Sequence, residues 1–479
     1  MSNQLSSITK MLVFLLILGG NIMRGHAQQY QPNWASLDKR PIPEWFQDAK
    51  FGIFIHWGVY SVPSYRPVGT KMYETYAEWY QEQMYLPGGS QNFHNRVYGK
   101  NFDYRSFGPM FKAELFEPDR WAGLFERAGA KYVVLTSKHH DGFTLWPSKS
   151  PYSKNWNSME VGPKRDLVGD LTKAVRAKGL RMGLYYSLME WESITKKDGG
   201  HYIDKAIVDK YRIPDPKYID NHMLPQLKEL VLNYQPSLIF ADGAWDKTSE
   251  YWKSPEFLAW LYNNAPNKDE VLVNDRWDIK NGLHGGYYTT EYDEHNAAMG
   301  ADHPWEESRG MGQSYGFNRA ENIDDYQTSA SLIGQLINIV SRGGNLLLNI
   351  GPAADGTIPV IMQQRLVDMG EWLRINGEAI YGTRAWKNNP GKVTASSNNK
   401  IYYTTKGKDL YVLSTGWPTE VITIDKIKAS KKTKVSMLGV DASVKPKLKE
   451  GKLSFSAPMA TPAQVKGAYA YVFKVENVL

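Results

Sequence analysis

The stretch WAGLFERAGAKYVVLTSKHHDGF, residues 121 to 143, carries the pattern on which the fold prediction rests. Its first part places apolar residues at i, i+3, i+4 and i+7, the spacing of a core-facing helix: Trp121, Leu124, Phe125 and Ala128. Its second part is a short β-rich apolar run, Tyr132 to Thr136, which ends in a polar segment with two histidines. A core-facing helix next to such a run is typical of an α/β unit in a parallel sheet.

The same pattern recurs along the chain. A second helical stripe of apolar residues is formed by Leu227, Leu230, Val231 and Tyr234. Candidate strands lie at Phe51 to Ile55, Tyr132 to Thr136, Arg181 to Ser187, Leu238 to Ala241, Val271 to Asn274 and Leu346 to Ile350. This number of units over about 350 residues predicts an α/β fold, a TIM-like (β/α) barrel with loop insertions.

The pattern changes after about Trp386, where short alternating runs replace the α/β units. These runs are Lys400 to Thr405, Leu410 to Ser414, Val421 to Ile424, Lys434 to Leu438, Leu453 to Ser456 and Ala468 to Val475. Alternation of this kind predicts antiparallel strands. We therefore expect a barrel over residues 28–385, followed by a C-terminal antiparallel β-sandwich over residues 386–479.

The composition is that of an ordinary folded protein. Hydrophobic residues make up 42% of the 479 positions and charged residues 22%, which excludes a disordered or multi-span membrane chain. Lys and Arg exceed Asp and Glu by 57 to 50, and the densest basic run, Lys428 to Lys434, has no interleaved aromatic residues. We expect that run to be a solvated loop, and we predict no nucleic-acid partner.

The N-terminus has the pattern of an export signal. Lys10 precedes the apolar run Met11 to Gly20, and small residues follow up to Ala27. Ten apolar residues are too few to span a bilayer, so we predict a signal peptide over residues 1–27 and no membrane span. The chain has no cysteine, which excludes disulfides. These features favour a periplasmic or secreted bacterial protein.

Polar and aromatic residues follow the predicted barrel strands, on the face where TIM-like enzymes place their chemistry. They include His56, His139, His140, Tyr185, Tyr186, Asp242 and Arg276. Imidazoles, carboxylates and aromatic faces together indicate a pocket for a sugar. From the residues alone, Asp242 is equally well interpreted as a helix N-cap and Arg276 as a surface ion-pair partner. The adjacent histidines lack the alternating spacing of a metal site, so we predict no metal.

Four ordered motifs carry a resemblance to a known family. They are FGIFIHWG at 51–58, AEWY at 77–80, KHHDGF at 138–143 and GGNLLLNIGP at 343–352. In this order the chain resembles glycoside hydrolase family 29, the α-L-fucosidases. The resemblance implies a catalytic TIM-like barrel, a C-terminal β-sandwich and a retaining double displacement that uses no metal or organic cofactor.

The resemblance also implies roles for individual residues. It makes Asp242 the nucleophile, and it forms the fucose pocket from His56, Glu78, Trp79, His139, His140, Tyr186 and Arg276. Phe240 departs from the family pattern, because members often have Trp two residues before the nucleophile. An indole N–H donor would therefore be missing at that position.

The acid/base is harder to select, because several acids lie on one segment: Glu291, Asp293, Glu294, Glu306 and Glu307. Residues 285–291, GGYYTTE, resemble the family's Gly-Asp-aromatic-x-Thr-Pro-Glu segment, although Gly286 replaces its Asp and Thr290 its Pro. We favour Glu291, with Glu306 as the alternative. The two carboxyls of a retaining enzyme lie about 5 to 5.5 Å apart, so proximity to Asp242 is the criterion.

The sequence thus predicts an exo-acting retaining α-L-fucosidase that releases terminal fucose from a fucosylated oligosaccharide or glycoconjugate. A related exo-glycosidase for another sugar is one alternative. An inactive fucose-binding protein is the other.

Overall fold

The computed structural model describes residues 29–69, 74–282, 284–292, 303–388, 394–396 and 399–479, so the predicted signal peptide lies outside the described residues. Eight parallel strands form the first sheet. They are β1 Phe51–Ile55, β2 Tyr132–Lys138, β3 Arg181–Ser187, β4 Leu238–Asp242, β5 Leu272–Val273, β6 Tyr288–Glu291, β7 Trp305–Gly310 and β8 Asn345–Ile350.

The order of these strands is that of a barrel. Hydrogen-bonded neighbours run β5-β4-β3-β2-β1-β8-β7-β6. The two edge strands meet at a parallel bridge between Asn274 and Tyr287, where the Tyr287 amide donates to the Val273 carbonyl at 3.2 Å. A ring of parallel strands in chain order is consistent with the predicted TIM-like barrel.

Glycine is required at this seam between β5 and β6. A Cβ on Gly286 would lie 1.6 Å from the Val273 carbonyl oxygen, far inside contact distance. The backbones of the two strands approach each other this closely only because Gly286 has no side chain.

The helices pack mainly around the barrel. They are α1 Trp34–Leu37, α2 Glu44–Ala49, α3 Tyr80–Gln83, α4 Gln91–Val97, α5 Pro118–Arg127, α6 Leu167–Ala177, α7 Lys205–Tyr211, α8 Leu224–Tyr234, α9 Ser249–Trp252, α10 Ser254–Asn264, α11 Ser329–Ser341 and α12 Val360–Asn376. The predicted stripes on α5 and α8 are buried, as their spacing indicated. Short 3₁₀ segments lie at Val59–Ser61, Ala77–Trp79, Tyr104–Met110, Pro151–Ser153, Ile323–Asp325, Gly377–Ala379 and Pro462–Gln464, and a π-helical turn at Ile219–Met223 leads into α8.

Two barrel strands were not predicted. Strands β6 and β7 have the sequences YTTE and WEESRG, which contain no apolar run. Their polar side chains are nevertheless buried or half-buried, because each finds a partner inside the barrel or borders the cavity described below. Hydrophobic patterning cannot detect strands of this kind.

Within the described residues after the barrel, the chain forms nine antiparallel strands. They are β9 Arg384–Ala385, β10 Thr394–Ser396, β11 Asn399–Lys406, β12 Asp409–Ser414, β13 Ile422–Ile424, β14 Val435–Met437, β15 Lys447–Lys449, β16 Lys452–Phe455 and β17 Tyr471–Val475. Strands β13, β16 and β15 form a three-stranded sheet, and the other six form a second sheet. The two sheets share one apolar core, in which the rings of Phe455 and Phe473 lie 5.2 Å apart. This packing is consistent with the predicted β-sandwich.

The C-terminal sheets are joined to the barrel through helix α12 and the turn after it. The Trp372 indole donates to the Ala470 carbonyl at 2.8 Å, and the Thr404 hydroxyl donates to the Ala379 carbonyl at 2.7 Å. Leu413 belongs to the same apolar cluster as the outer layer of the barrel. In the described part of the chain, none of the helices combines the length and the hydropathy needed to cross a bilayer.

Candidate active site

A cavity of about 730 Å³ opens at the C-terminal ends of the barrel strands. Eight of the predicted site residues line it: His56, Glu78, Trp79, His139, His140, Asp242, Arg276 and Glu291. They come from four widely separated parts of the sequence, and the barrel brings them together because the carboxyl ends of its parallel strands share one face.

Asp242 is the last residue of β4 and is 9% exposed. Its Oδ1 accepts from Nη1 of Arg276 at 3.0 Å, and its Oδ2 accepts from the Tyr185 hydroxyl at 2.8 Å. Burial is the largest single influence and raises the pKa of this carboxyl, but several lowering influences, led by the Arg276 guanidinium, together outweigh it, so the net pKa lies below its usual value. Asp242 is therefore ionised at neutral pH.

Arg276 connects the two predicted catalytic carboxylates. Its Nη2 contacts Oε1 of Glu291 at 2.6 Å, while Nη1 binds Asp242. Its Nε donates to the Thr289 hydroxyl at 2.9 Å, and that hydroxyl donates to Asp275 at 2.6 Å. The hydrogen bonds through Thr289 to Asp275 thus fix the guanidinium, and both carboxylates contact this one cation.

His56 presents an unprotonated nitrogen to the cavity. The Asn349 amide nitrogen donates to the Tyr315 carbonyl at 2.6 Å, so the Asn349 oxygen accepts from Nδ1 of His56 at 2.7 Å. Burial lowers the pKa of His56 to about 3, which keeps the ring neutral. Its Nε2 is therefore available to accept a hydroxyl proton.

His140 is oriented in the same way. The Ser187 hydroxyl donates to the Met189 carbonyl at 2.6 Å and accepts from Nδ1 of His140 at 2.6 Å. Burial lowers the pKa of His140 to about 4, so this ring is neutral as well. Its Nε2 lies 3.7 Å from Oδ2 of Asp242, and both atoms face the cavity.

His139 contributes a buried polar atom that lacks a partner. Among the described residues nothing forms a hydrogen bond with its Nδ1, and its ring lies nearly parallel to that of Tyr185 at 5.8 Å. Burial holds the pKa of His139 well below its usual value. A buried nitrogen of this kind beside a cavity is expected to bind a ligand.

A break in strand β2 lets both histidines face the cavity. The pairing of β2 with β3 shifts between Thr136 and Lys138, so Lys138 lies beside Tyr186 and its Nζ binds buried Glu190 at 2.7 Å. The regular strand has ended by His139, and Gly142 turns the chain with φ of 75°. Irregular pairing of this kind re-aims side chains next to active sites.

Glu78 lies on the 3₁₀ segment Ala77–Trp79, which crosses the mouth of the barrel. Its Oε2 accepts from the Gly316 amide at 2.8 Å and from the Ser314 hydroxyl at 3.2 Å. Burial raises the pKa of Glu78 to about 7. The cavity therefore holds two carboxyls next to a guanidinium, Asp242 and Glu291, and a third, Glu78, that burial keeps largely protonated below neutral pH.

The prediction of Tyr186 as a pocket residue was wrong. Its hydroxyl donates to Gln226 at 2.7 Å and accepts from Lys138 at 3.1 Å, both on the outer side of strand β3. Adjacent strand residues point to opposite faces, so Tyr185 faces the cavity instead. The sequence contains both tyrosines, but the alternation of β3 could not be assigned because apolar residues occupy both of its faces.

This correction gives a matched pair of variants. Tyr185→Phe should lower kcat/KM about tenfold or more, because it removes a hydrogen bond to a buried carboxylate. Tyr186→Phe removes the same hydroxyl one residue away and should leave kcat/KM within about twofold while lowering the melting temperature. Kinetics on an aryl glycoside and thermal melting of both variants test this. An equal loss of activity in the two would contradict the assignment.

Glu306, the alternative acid/base, does not line the cavity. It lies near the start of β7, where it accepts hydrogen bonds from the hydroxyls of Tyr132 and Tyr287 inside the barrel. Burial raises its pKa to about 7. Glu307 is also absent from the cavity lining and pairs with Arg309, and Asp293 and Glu294 lie outside the described residues. Among the described acids of this segment, Glu291 is the one that lines the cavity together with Asp242.

We expect Glu306→Gln to keep its activity and to gain stability at high pH. Because the pKa of folded Glu306 lies above its usual 4.5, the protonated form favours folding, and stability is lost as pH rises through about 7. A neutral glutamine escapes this loss, so the variant should exceed the wild type by roughly 2 kcal/mol at pH 8 and by little at pH 5. Unfolding curves at both pH values measure the difference. A large loss of activity in the variant would instead indicate that Glu306 takes part in catalysis.

Most of the remaining cavity lining was not assigned from the sequence. Phe54, Tyr76, Tyr292 and Tyr315 line the cavity together with Phe240, which had been singled out from the sequence beside Asp242, and Trp245, Asn281, Thr289, Thr290 and Ser308 complete the lining. Phe54 could have been found from its place two residues before His56 on its strand. The others lie on loops or on β6 and β7, where no periodic signal was present.

Comparisons with known proteins agree with this site. The family model "Alpha-L-fucosidase" matches residues 21–378, and "Alpha-L-fucosidase C-terminal domain" matches residues 394–476. The human tissue alpha-L-fucosidase is 42% identical over 475 residues, 98% of this chain and 97% of that protein. The alpha-L-fucosidase of Dictyostelium discoideum is 40% identical over 482 residues, 98% of this chain and 99% of that one.

A solved structure gives the same result. The alpha-fucosidase of Thermotoga maritima in complex with fucose is 37% identical and has a TM-score of 0.77, with 93% of this chain and 100% of that chain covered. Because the similar proteins include human and Dictyostelium enzymes, the comparisons do not support the predicted bacterial source.

Carboxylates, neutral imidazoles and aromatic faces in one sugar-sized cavity of a barrel are groups that a glycoside hydrolase can use. The matched family model and the relatives above place this chain among the glycoside hydrolases. Within that class, the two family models and the relatives above decide the family. The chain belongs to the α-L-fucosidase family.

Proposed function

We propose that the protein is an exo-acting α-L-fucosidase that releases terminal fucose with retention, with Asp242 as nucleophile and Glu291 as acid/base. The observation that carries the proposal is the Arg276 guanidinium, which contacts both carboxylates. Two carboxyls held by one side chain suit the short separation of a retaining enzyme, about 5 to 5.5 Å, better than the wider gap of an inverting one.

In the first step, Asp242 attacks the anomeric carbon of the fucoside. The bond from that carbon to the glycosidic oxygen breaks, its electron pair goes to the oxygen, and Glu291 supplies the proton. The product is a β-linked fucosyl ester on Asp242. Ionisation of Asp242, supported by Arg276, is what this step requires.

In the second step, ionised Glu291 takes a proton from water, and the water oxygen attacks the same carbon. The ester bond breaks and its electron pair returns to Asp242. Two inversions give α-L-fucose, so configuration is retained overall.

The lining of the cavity supports fucose as the sugar. Neutral imidazoles of His56, His139 and His140 suit the ring hydroxyls, because they form hydrogen bonds without adding charge. The apolar wall that includes Phe54 and Phe240, whose rings lie 5.1 Å apart, suits the methyl group that distinguishes fucose from galactose-type sugars. Phe240 supplies no N–H donor, so hydroxyl recognition rests on the histidines.

The cavity ends in the packed barrel interior, where Phe54, Tyr185 and Leu347 belong to one buried cluster. A pocket that ends in the barrel interior suits a terminal sugar, which supports exo action. Structures of a similar fucosidase with fucose and with a fucosyl-fucose azide support a fucosylated substrate for this chain.

The test is proton NMR of 4-nitrophenyl α-L-fucoside during hydrolysis by the wild type. The expected first product is α-L-fucose, which then equilibrates with the β anomer. β-L-Fucose as the first product would overturn retention, and turnover of a different aryl glycoside without turnover of the fucoside would overturn the sugar assignment.

We also propose that residues 1–27 are a signal peptide of an exported, periplasmic or secreted bacterial enzyme, and that its barrel spans 28–385 and its sandwich 386–479. The charge and hydropathy pattern of the N-terminus supports export. Expression of the full chain in a secreting bacterial host should give an extracytoplasmic protein whose mass corresponds to a start at Gln28. A cytoplasmic protein of full mass would contradict this.

A further inference from the structure

Trp245 stands at the mouth of the cavity, three residues beyond Asp242. It is 37% exposed, whereas Asp242 is 9% exposed, and both residues line the cavity. A fucose seated on Asp242 would direct its glycosidic oxygen away from the closed floor. Trp245 therefore lies on the side where the rest of the substrate must extend.

The indole of Trp245 is held in one orientation. Its Nε1 donates to the Tyr202 hydroxyl at 3.0 Å, and that hydroxyl donates in turn to Asp246. The loop itself is anchored, because the Ala244 carbonyl accepts from the Trp252 indole at 3.2 Å. A large aromatic side chain that is fixed by its polar edge and remains partly exposed beside the cavity is preorganised for binding.

The ring of Trp245 continues the aromatic surface of the cavity. Its plane lies 14° from that of half-buried Trp79, with centroids 6.3 Å apart, and the His140 ring lies nearly perpendicular to it at 5.4 Å. Two parallel indoles thus line the way out of the site. Such surfaces fit the flat C–H face of a pyranose ring.

We propose that Trp245 is the platform for the aglycone sugar, the neutral pyranose to which the fucose is attached. The inference rests on the proposed function, since it takes Asp242 as the point where the bond is broken. The polar edge of the indole is already satisfied by Tyr202, so the exposed face offers apolar contact alone. That contact favours a neutral hexose ring over a charged or extended aglycone such as a peptide.

Two substrates separate this role from fucose binding. α-L-Fucosyl fluoride has no aglycone ring, whereas a fucosyl-hexose disaccharide has one. Trp245→Ala should lower kcat/KM for the disaccharide about tenfold and leave that for the fluoride within about twofold. Trp245→Phe, which keeps a ring, should recover part of the loss. Trp260→Ala, at a half-buried tryptophan on α10 outside the cavity, is the matched control and should change neither.

Each other outcome overturns the proposal. Equal losses on the two substrates would assign Trp245 to the fucose site or to folding, and no loss on either would remove the platform. A wild type that is inactive on the fluoride would overturn the proposed function itself, and the platform with it.

Discussion

Replacement of Asp242 by alanine is expected to lower kcat on 4-nitrophenyl α-L-fucoside by at least about 10³-fold. The reason is that the two other carboxyls among the described residues that line the cavity are placed for other contacts. Glu291 shares the guanidinium but, in the proposal, faces the leaving oxygen, and Glu78 is held by Gly316 and Ser314.

Azide makes this prediction specific. In Asp242→Ala the missing carboxylate leaves room for a small anion next to Arg276, and direct attack on the α-fucoside should give β-fucosyl azide. Glu306→Gln, which alters a buried barrel carboxyl outside the cavity, is the control and should give no azide product. Substantial activity of Asp242→Ala without azide would rule out a nucleophilic role.

Replacement of Glu291 by alanine should have the second-largest effect. A poor leaving group such as a hexose needs the proton, so kcat/KM on a fucosyl disaccharide should fall by about 10² to 10⁴-fold. The loss on the 4-nitrophenyl substrate should be smaller, because nitrophenolate leaves without a proton. Steady-state kinetics on both substrates measures the contrast.

Azide again identifies the role, with the opposite stereochemistry. In Glu291→Ala the fucosyl-Asp242 ester still forms, and azide should attack it to give α-fucosyl azide. Glu78→Gln is the comparison, because Glu78 is a further carboxyl that lines the cavity, and burial favours its protonation. If α-fucosyl azide came from Glu78→Gln and not from Glu291→Ala, the acid/base assignment would move to Glu78.

Hydrophobic patterning predicted the barrel strands that are apolar on both faces. Strands β1 and β3 match their predicted bounds, and β2, β4, β5 and β8 match to within one or two residues. Strands β6 and β7 escaped prediction because their burial is stabilised by hydrogen bonds and ion pairs, as at Glu306 with its two tyrosine hydroxyls. Hydrophobic patterning within a short stretch of sequence does not identify such partners, which here lie up to 174 residues apart in the chain.

Cavity residues could be predicted from the sequence where a polar or charged residue comes at or just after the end of a predicted strand, as at His56, Asp242 and Arg276. They could not be predicted where the outcome depends on which face of a strand each side chain points to, as with Tyr185 and Tyr186. Trp245 follows the end of β4 closely in sequence, but its position alone does not show that its ring lines the cavity. These residues are identified only once the register of β3 and the course of the loop after β4 are known.

Near Gly286, where β5 and β6 meet, the same ion pairs serve the proposed catalysis and the stability of the barrel. Strands β5 and β6 share little backbone pairing. Arg276, which follows β5, forms ion pairs with Glu291 at the end of β6 and with Asp242 at the end of β4. The ion pairs that hold the proposed nucleophile ionised therefore also connect strands across the sparsely paired junction of β5 and β6. A substitution at Arg276 that changes the reactivity of Asp242 would also remove the contacts that connect the ends of β4 and β6. It would therefore change catalysis and the stability of the barrel together.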